Sequence, residues 1–259
     1  MKVLKLGGSV ITFKDEISTA NREQINRLSR EIKAAWPIPL VLVHGGGSFG
    51  HPVAKKYGII EGFKSKRQIL GFARTHQAMV ALNTIFVDSL LSVGVPALSV
   101  TPSSFITTKE GRITRIDFEN VGRLVVKGIL PVLYGDTVLD TEKGFTILSG
   151  DQLTVRLGIS LGVSKIIFGV DVDGVFTSNP KISPDARLIE RLPLEKLDGF
   201  VRIGEAITTD VTGGMLGKVS EAKTAVEMGM KVQIVNATQP DVIFKALIGE
   251  PVTGTLLTE

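Results

Sequence analysis

No cysteine occurs in this chain of 259 residues, so disulfides and thiolate metal sites are excluded. Three histidines, His44, His51 and His76, are too few for a histidine-rich metal site. Mg2+ held by carboxylates and substrate phosphates is the metal chemistry left open. No apolar run approaches the roughly 18 residues of a membrane helix, so no membrane partner is expected. A first strand expected from residue 2 or 3 leaves no room for a signal peptide, and the expected location is the cytoplasm. Charge of one sign is also scarce, with a formal excess of only +4. The dense basic cluster Lys64-Ser65-Lys66-Arg67 lacks interleaved aromatics or a nucleic-acid module, so it is read as a solvated helix start and no nucleic-acid partner is expected. Few asparagines and glutamines, with no cysteine, lean towards heat tolerance.

What the chain does have is glycine in two informative places. Lys5-Leu6-Gly7-Gly8-Ser9 and His44-Gly45-Gly46-Gly47-Ser48-Phe49-Gly50-His51 each follow a short β-branched or leucine-rich run and precede a polar, helix-like stretch. A strand that ends in a glycine turn leading to a helix offers unblocked backbone N–H groups to an anion. Two such turns in one small domain imply two anions side by side, and the reaction between two phosphates is phosphoryl transfer.

Short apolar runs at 3–6, 40–43, 97–100, 130–134, 166–170 and 232–235 fit strands covered on both faces, as in a parallel sheet. The stretches 21–35, 71–93 and 219–228 carry helical apolar faces, and 151–161 reads as a helix. This alternation predicts an open α/β/α sandwich with a mainly parallel central sheet. Two β-hairpin insertions are expected in the first half, at 105–116 around Lys109-Glu110-Gly111 and at 138–148 around Glu142-Lys143-Gly144. A soft boundary near 161–164 divides the chain into an N-terminal lobe, 1–162, and a C-terminal lobe, 163–259, on one continuous sheet.

The glycine motifs have look-alikes. Gly45-Gly46-Gly47-Ser48-Phe49-Gly50 satisfies the G-x-G-x-x-G pattern of dinucleotide sites, but no strand and no acid follow about 20 residues on, where such a site needs them. Gly213-Gly214-Met215-Leu216-Gly217-Lys218 resembles a P-loop that is one residue short and has Val219 in place of the Ser or Thr. Asp210-Val211-Thr212 just ahead of it still suggests that Lys218 meets nucleotide phosphate. Asp151 is either an organiser of cations or the cap of the helix it starts. Asp171 and Asp173 fall at a strand's C-terminal end, where open α/β sheets bind ligands, and could equally cap the turn that follows. His44 ends a buried strand and reads as a core or turn residue; His76 is given no site role.

With these residues in view, the chain resembles the amino acid kinase superfamily, and within it the isopentenyl phosphate kinases of archaeal type. The likeness spans essentially the whole chain through Lys5 to Thr12, His44 to His51, Tyr134-Gly135-Asp136, Ser149-Gly150-Asp151, Asp171 to Val175, and Asp210 to Met215 with Lys218. Most of these motifs are superfamily-wide and imply the kinase fold and nucleotide use. Gly47-Ser48-Phe49-Gly50-His51 points to the phosphate-accepting branch.

The resemblance implies transfer of the ATP γ-phosphate to isopentenyl phosphate in isoprenoid biosynthesis. ATP and Mg2+ are the implied cofactors, with no direct protein ligand to the metal assigned. It also implies a homodimer paired through the first lobe, with the acceptor on that lobe and ATP on the second. Lys5, Lys14, Lys218 and Asp151 become the catalytic set. Gly46, His51 and Gly150 become the acceptor site. Lys5, Leu6, Gly7, Gly8, Ser9, Gly47, Asp171, Asp173, Gly213 and Lys218 become the ATP site. The apolar acceptor tail is expected against Phe72, Ala73, Met79 and Ile85. A same-fold kinase acting on fosfomycin or on another phosphate, phosphonate or carboxylate acceptor is the rival reading, and a catalytically silent nucleotide sensor is the reading from another class.

Overall fold

The computed structural model describes residues 1–196 and 214–259. In chain order the first lobe contains β1 (Lys2–Leu6), the single-turn α1 (Gly8–Ile11), α2 (Arg22–Ala35), β2 (Leu40–His44), α3 (Gly47–Tyr57), α4 (Lys66–Ser92) and β3 (Ala97–Ser99). Then come β4 (Thr107–Lys109), β5 (Arg112–Arg115), α5 (Glu119–Val126), β6 (Leu130–Tyr134), β7 (Asp136–Asp140), β8 (Gly144–Leu148) and α6 (Gly150–Ser160). The remainder is β9 (Lys165–Val170), β10 (Arg191–Pro193), α7 (Gly214–Glu227), β11 (Lys231–Asn236), α8 (Val242–Ile248) and β12 (Gly254–Thr258).

The main sheet has the order β10-β12-β11-β9-β1-β2-β6-β3, and every neighbouring pair is parallel except β11 with β12. Strands from the first lobe occupy one half of the sheet and strands from the second lobe the other. Alternation along β1 decides what each face receives. Leu4 and Leu6 point into a core shared with α2, α4 and α8. Val3 points to the opposite core, built with α5, α6 and α7. Lys5 lies on the Val3 side by the same two-residue period, and that places its ammonium beside α6 and α7.

The expected strands all form, with bounds shifted by at most one residue. The basic cluster does open a helix, earlier than the periodicity suggests. Gln68 Oε1 accepts the N–H groups of Lys64 and Ser65 at 2.7 and 2.9 Å, so the helix starts at Lys66 rather than near residue 71. The strands β10 and β12 escape the sequence reading because neither carries an apolar run: Arg191-Leu192-Pro193 has one leucine, and β12 has two leucines between threonines.

Both expected hairpins form and then join, β4 running parallel to β7, into a separate four-stranded sheet. Glu110 and Gly111 both adopt positive φ, 50° and 81°, as a two-residue hairpin turn requires. The buried Asp140 carboxylate ties the two turns together. It accepts N–H groups from Glu110, Gly111, Glu142 and Lys143 at 2.7–3.2 Å and the Thr108 hydroxyl at 2.8 Å. Burial pushes this carboxyl up, but the donors, Lys143 N–H foremost, hold it well below the usual range.

Candidate active site

Three parallel strands, β1, β2 and β6, release the chain at the same sheet edge, and each exit carries glycine. The first two glycine turns touch through their backbones. A Cβ added to Gly8 would lie 2.2 Å from the Gly47 nitrogen, and one added to Gly45 would lie 2.8 Å from the Gly8 nitrogen. No side chain fits between them, so this contact requires glycine. Thr12 locks the pair: its hydroxyl donates to Gly8 O at 2.8 Å and accepts from Ser48 N at 3.0 Å. Gly7 N donates to Gly169 O at 2.8 Å, Gly45 N to Leu6 O at 3.0 Å and Gly135 N to His44 O at 3.0 Å. The side chain of Leu6 is buried in the core, so its backbone alone faces this edge. Ser9 sits in α1, half-buried.

Beneath the turns lies a buried ion cluster. Asp151, in the first turn of α6, receives Lys5 at 2.8 Å and Lys218 through both carboxylate oxygens at 2.9 Å. Lys5, Asp151 and Lys218 are only 6%, 8% and 5% exposed. Ser149 supplies the helix cap, its hydroxyl accepting from Asp151 N at 3.2 Å, so the Asp151 side chain is left to the lysines. Burial pushes the Asp151 carboxyl up, but the ammonium groups of Lys218 and Lys5 reverse this and hold it well below the usual range. Burial pulls Lys218 down to about 8 against the raising effect of Asp151, and the neighbouring Lys5 adds to the depression. The Lys218 ammonium also stands 5.1 Å from the centre of the Phe168 ring, whose residue pairs with Lys5 in the β1–β9 register. Gly150 lies against this cluster; an added Cβ would be 3.3 Å from His44 O and 3.7 Å from Lys5 Cε.

One strand over, Asp171 follows β9 and gathers a second pair of cations. Lys14 reaches its Oδ2 at 3.0 Å and Lys181 reaches the same oxygen at 2.6 Å. Burial raises the carboxyl, but the two lysines, Lys181 first, bring it to about 2. Lys14 lies in the loop after α1, its side chain 60% exposed and paired with Asp171. Asp173 lies further on and accepts from Asn236 Nδ2 at 2.8 Å. It borders a cleft with Asn236, Gln239, Pro240 and Val242.

His51 is exposed and stands in the first part of α3, four residues after Gly47. Gly213 lies outside the described residues, as do Asp210 to Thr212. Met79, expected against an apolar tail, packs on the second glycine turn: an added Cβ at Gly46 or Gly50 would meet its sulfur at 3.0 or 2.7 Å. Phe72 faces the β7–β8 hairpin, its ring centre 5.3 Å from that of Phe145, while Ala73 is exposed.

Sequence reasoning missed the neighbours that fix these groups. Thr12 and Phe168 gave no chemical signal, being a small polar residue and a strand aromatic. Nothing local to Lys181 revealed the carboxylate it shares with Lys14. His76 is also engaged: its Nδ1 lies 2.9 Å from the buried Asp136, whose carboxyl burial raises against the opposing effect of His76. His44 is buried as expected. Its ring lies 5.6 Å from that of Tyr134, and burial pulls it down to about 4, with the Gly45 carbonyl opposing and Lys5 assisting.

A parallel sheet with glycine turns at one edge and a lysine–aspartate–lysine cluster beneath them defines a phosphate-handling α/β protein. Residues 1–236 match the amino acid kinase family, and the chain belongs to it. It is 44% identical to an isopentenyl phosphate kinase of Methanothermobacter thermautotrophicus, over 100% of this chain and 99% of that one. It is 35% identical to the isopentenyl phosphate kinase of Methanocaldococcus jannaschii, over 98% and 97% of the two chains. A solved structure described as an X-ray structure of isopentenyl phosphate kinase superposes with a TM-score of 0.89 at 40% identity, covering 100% of both chains.

Proposed function

We propose that this chain transfers the γ-phosphoryl group of ATP to isopentenyl phosphate, giving isopentenyl diphosphate and ADP. The observation that carries the reading is the buried Lys5–Asp151–Lys218 cluster lying against glycine turns built for anions, in a chain alike over its whole length to isopentenyl phosphate kinases. A phosphate monoester has its second pKa near 6, so the acceptor arrives near neutral pH largely as a dianion and needs no general base. An acceptor oxygen bonds to the γ-phosphorus, the bond from that phosphorus to the β–γ bridging oxygen breaks, and ADP leaves with the electron pair. What the reaction requires is cancellation of repulsion between two polyanions and in-line alignment.

In this reading Lys5 and Lys218 meet the phosphates flanking the transferred group, and Asp151 fixes their direction. Lys14 swings from Asp171 to the transferring phosphoryl. Gly46, Gly150 and His51 donate to the acceptor phosphate, the histidine more strongly when protonated. Gly7, Gly8, Ser9, Gly47 and the backbone of Leu6 line the ATP phosphates, and Asp171, Asp173 and Gly213 serve the nucleotide. Mg2+ enters as part of the MgATP substrate. In this reading the ion is coordinated mainly by phosphate and water.

The acceptor belongs to the lobe 1–162 and ATP to the lobe 163–259. A second copy is proposed to pair on the first lobe, where the edge strand β3 and the exposed Leu91 and Leu98 support the reading. We place the enzyme in the cytoplasm and in isoprenoid biosynthesis of the archaeal type.

The test is a coupled ADP-release assay with MgATP and isopentenyl phosphate, dimethylallyl phosphate, fosfomycin, UMP or carbamate. Preference for isopentenyl phosphate is expected. Preference for fosfomycin, UMP or carbamate would overturn the acceptor and leave the fold untouched.

A further inference from the structure

His44 ends β2 directly ahead of the three glycines, is wholly buried, and has no part in the transfer just described. Its ring is nevertheless held at both nitrogens. Nδ1 lies 3.0 Å from the carbonyl oxygen of Gly45, which can only accept, so Nδ1 carries the hydrogen. Nε2 lies 3.1 Å from Asn83 Nδ2 on α4 and accepts from it. The rings of Tyr134 and Phe86, with centres 5.6 and 6.1 Å away, fix the plane. One neutral tautomer in one orientation therefore grips one peptide group of the glycine turn.

That grip has a consequence through peptide geometry. In a trans peptide the carbonyl and the following N–H point in opposite directions. Among the described residues the only cis peptide is Trp36–Pro37, so the Gly45–Gly46 bond is trans. With the Gly45 carbonyl turned to a ring in the core, the Gly46 N–H is turned away from the core. Among the described residues no backbone carbonyl accepts that N–H. Gly47 N likewise has no backbone carbonyl acceptor among the described residues, whereas Ser48 N is held on Thr12 and Phe49 N on Gly46 O.

We infer that His44 is a positioning residue for the acceptor phosphate, acting through the Gly45 carbonyl to aim the Gly46 N–H. The inference rests on the proposed role of Gly46 at the acceptor. It accounts for a histidine at a site where a buried strand end otherwise calls for an apolar residue. Glycine gives this turn the freedom to flip its peptides; the ring removes that freedom at the peptide whose N–H is proposed to meet the acceptor.

Three variants and one measurement on the unaltered protein test it. His44→Asn can place an amide N–H where Nδ1 stood, whereas His44→Gln places its amide nearer the Nε2 position and His44→Phe keeps only the ring. The expected KM for isopentenyl phosphate stays within about threefold in His44→Asn and rises about tenfold in the other two, with the KM for MgATP changed less than about twofold. In histidine-labelled wild type, 15N spectra should show the His44 ring neutral with its proton on Nδ1 from pH 5 to 8. A His44→Phe enzyme with wild-type acceptor KM would overturn the inference. So would KM values for both substrates rising together in step with lost thermal stability, or a ring protonated on Nε2. Turnover of isopentenyl phosphate by the wild type is a separate readout of the function, so failure of one is distinguishable from failure of the other.

Discussion

Asp151 and Lys218 meet through both carboxylate oxygens, each 2.9 Å from the ammonium nitrogen, across 67 residues of chain and from two different helices. Lys5 closes the cluster from a third element. Two cations therefore share one anion in a site nearly closed to water. The site carries a net positive charge, and a nucleotide phosphate is the kind of group that would balance it.

The Asp151→Asn variant keeps the shape and removes that anion. Lys5 and Lys218 are then left buried with like charges facing each other. The expected result is a kcat lower by at least about a hundredfold, as for loss of one oriented electrostatic group. Unfolding in urea should show a loss of about 3–5 kcal/mol, the range for breaking a buried ion pair. Wild-type kcat in this variant would remove Asp151 from the mechanism.

Lys218 sets a limit on the alkaline side. Its pKa is depressed to about 8, so the free enzyme carries the full charge below that pH and loses it above. The expected kcat/KM for MgATP falls through a limb near pH 8, tending to tenfold per unit beyond it. Bound phosphates favour the charged form, so the corresponding limb in kcat lies at higher pH. Lys218→Arg, whose guanidinium stays protonated, should lack the limb whatever its absolute rate. A profile with the same limb in both proteins would assign it to another group.

Lys14 offers the opposite balance of stability and rate. Its pair with Asp171 is exposed on the lysine side, and such pairs contribute only about 0–1 kcal/mol. Lys14→Ala is expected to lower kcat about a hundredfold while the urea midpoint hardly moves. A full kcat would show that the lysine only decorates Asp171.

Gly8→Ala tests the contact between the two turns. The new methyl would sit 2.2 Å from the Gly47 backbone nitrogen, and neither backbone segment can yield without moving its helix. Loss of activity is expected together with destabilisation of at least about 2 kcal/mol, read from denaturation. A variant of normal stability and rate would mean that the turns separate freely.

Asp140 should be a purely structural carboxylate. Removing it in Asp140→Ala leaves buried N–H donors at two turns, and a loss of about 3 kcal/mol is expected. Because its folded pKa lies below the ordinary 3.8, its contribution is complete above that value and fades as pH falls towards the folded one. The stability gap between wild type and variant should therefore be full above about pH 4 and narrow as the pH falls further.

Much of the site was legible before any coordinates. Lys5, Asp151 and Lys218 were named as part of a catalytic set by the family resemblance, and each also sits next to a glycine or helix-start signal, which is local. Hairpins at Lys109-Glu110-Gly111 and Glu142-Lys143-Gly144 were legible for the same reason. Their joining into one sheet was not, because β4 meets β7 across 32 residues through the Asp140 carboxylate, and a lone aspartate before a turn looks like any other. Met79 shows the converse. Helical spacing put it on an apolar face, yet whether that face meets a ligand or a glycine turn depends on where α3 lies.

The sequence by itself determined most of the central strands and the glycine turns that follow β1 and β2, and hence that backbone N–H groups would gather at one sheet edge. Those outcomes follow from side-chain period and from the steric freedom of glycine, both properties of neighbouring residues. Only the tertiary structure decided which cation meets which anion: Lys5 and Lys218 on Asp151, Lys14 and Lys181 on Asp171. Charge attraction acts through space and burial sets its strength, so chain packing alone could assign the partners.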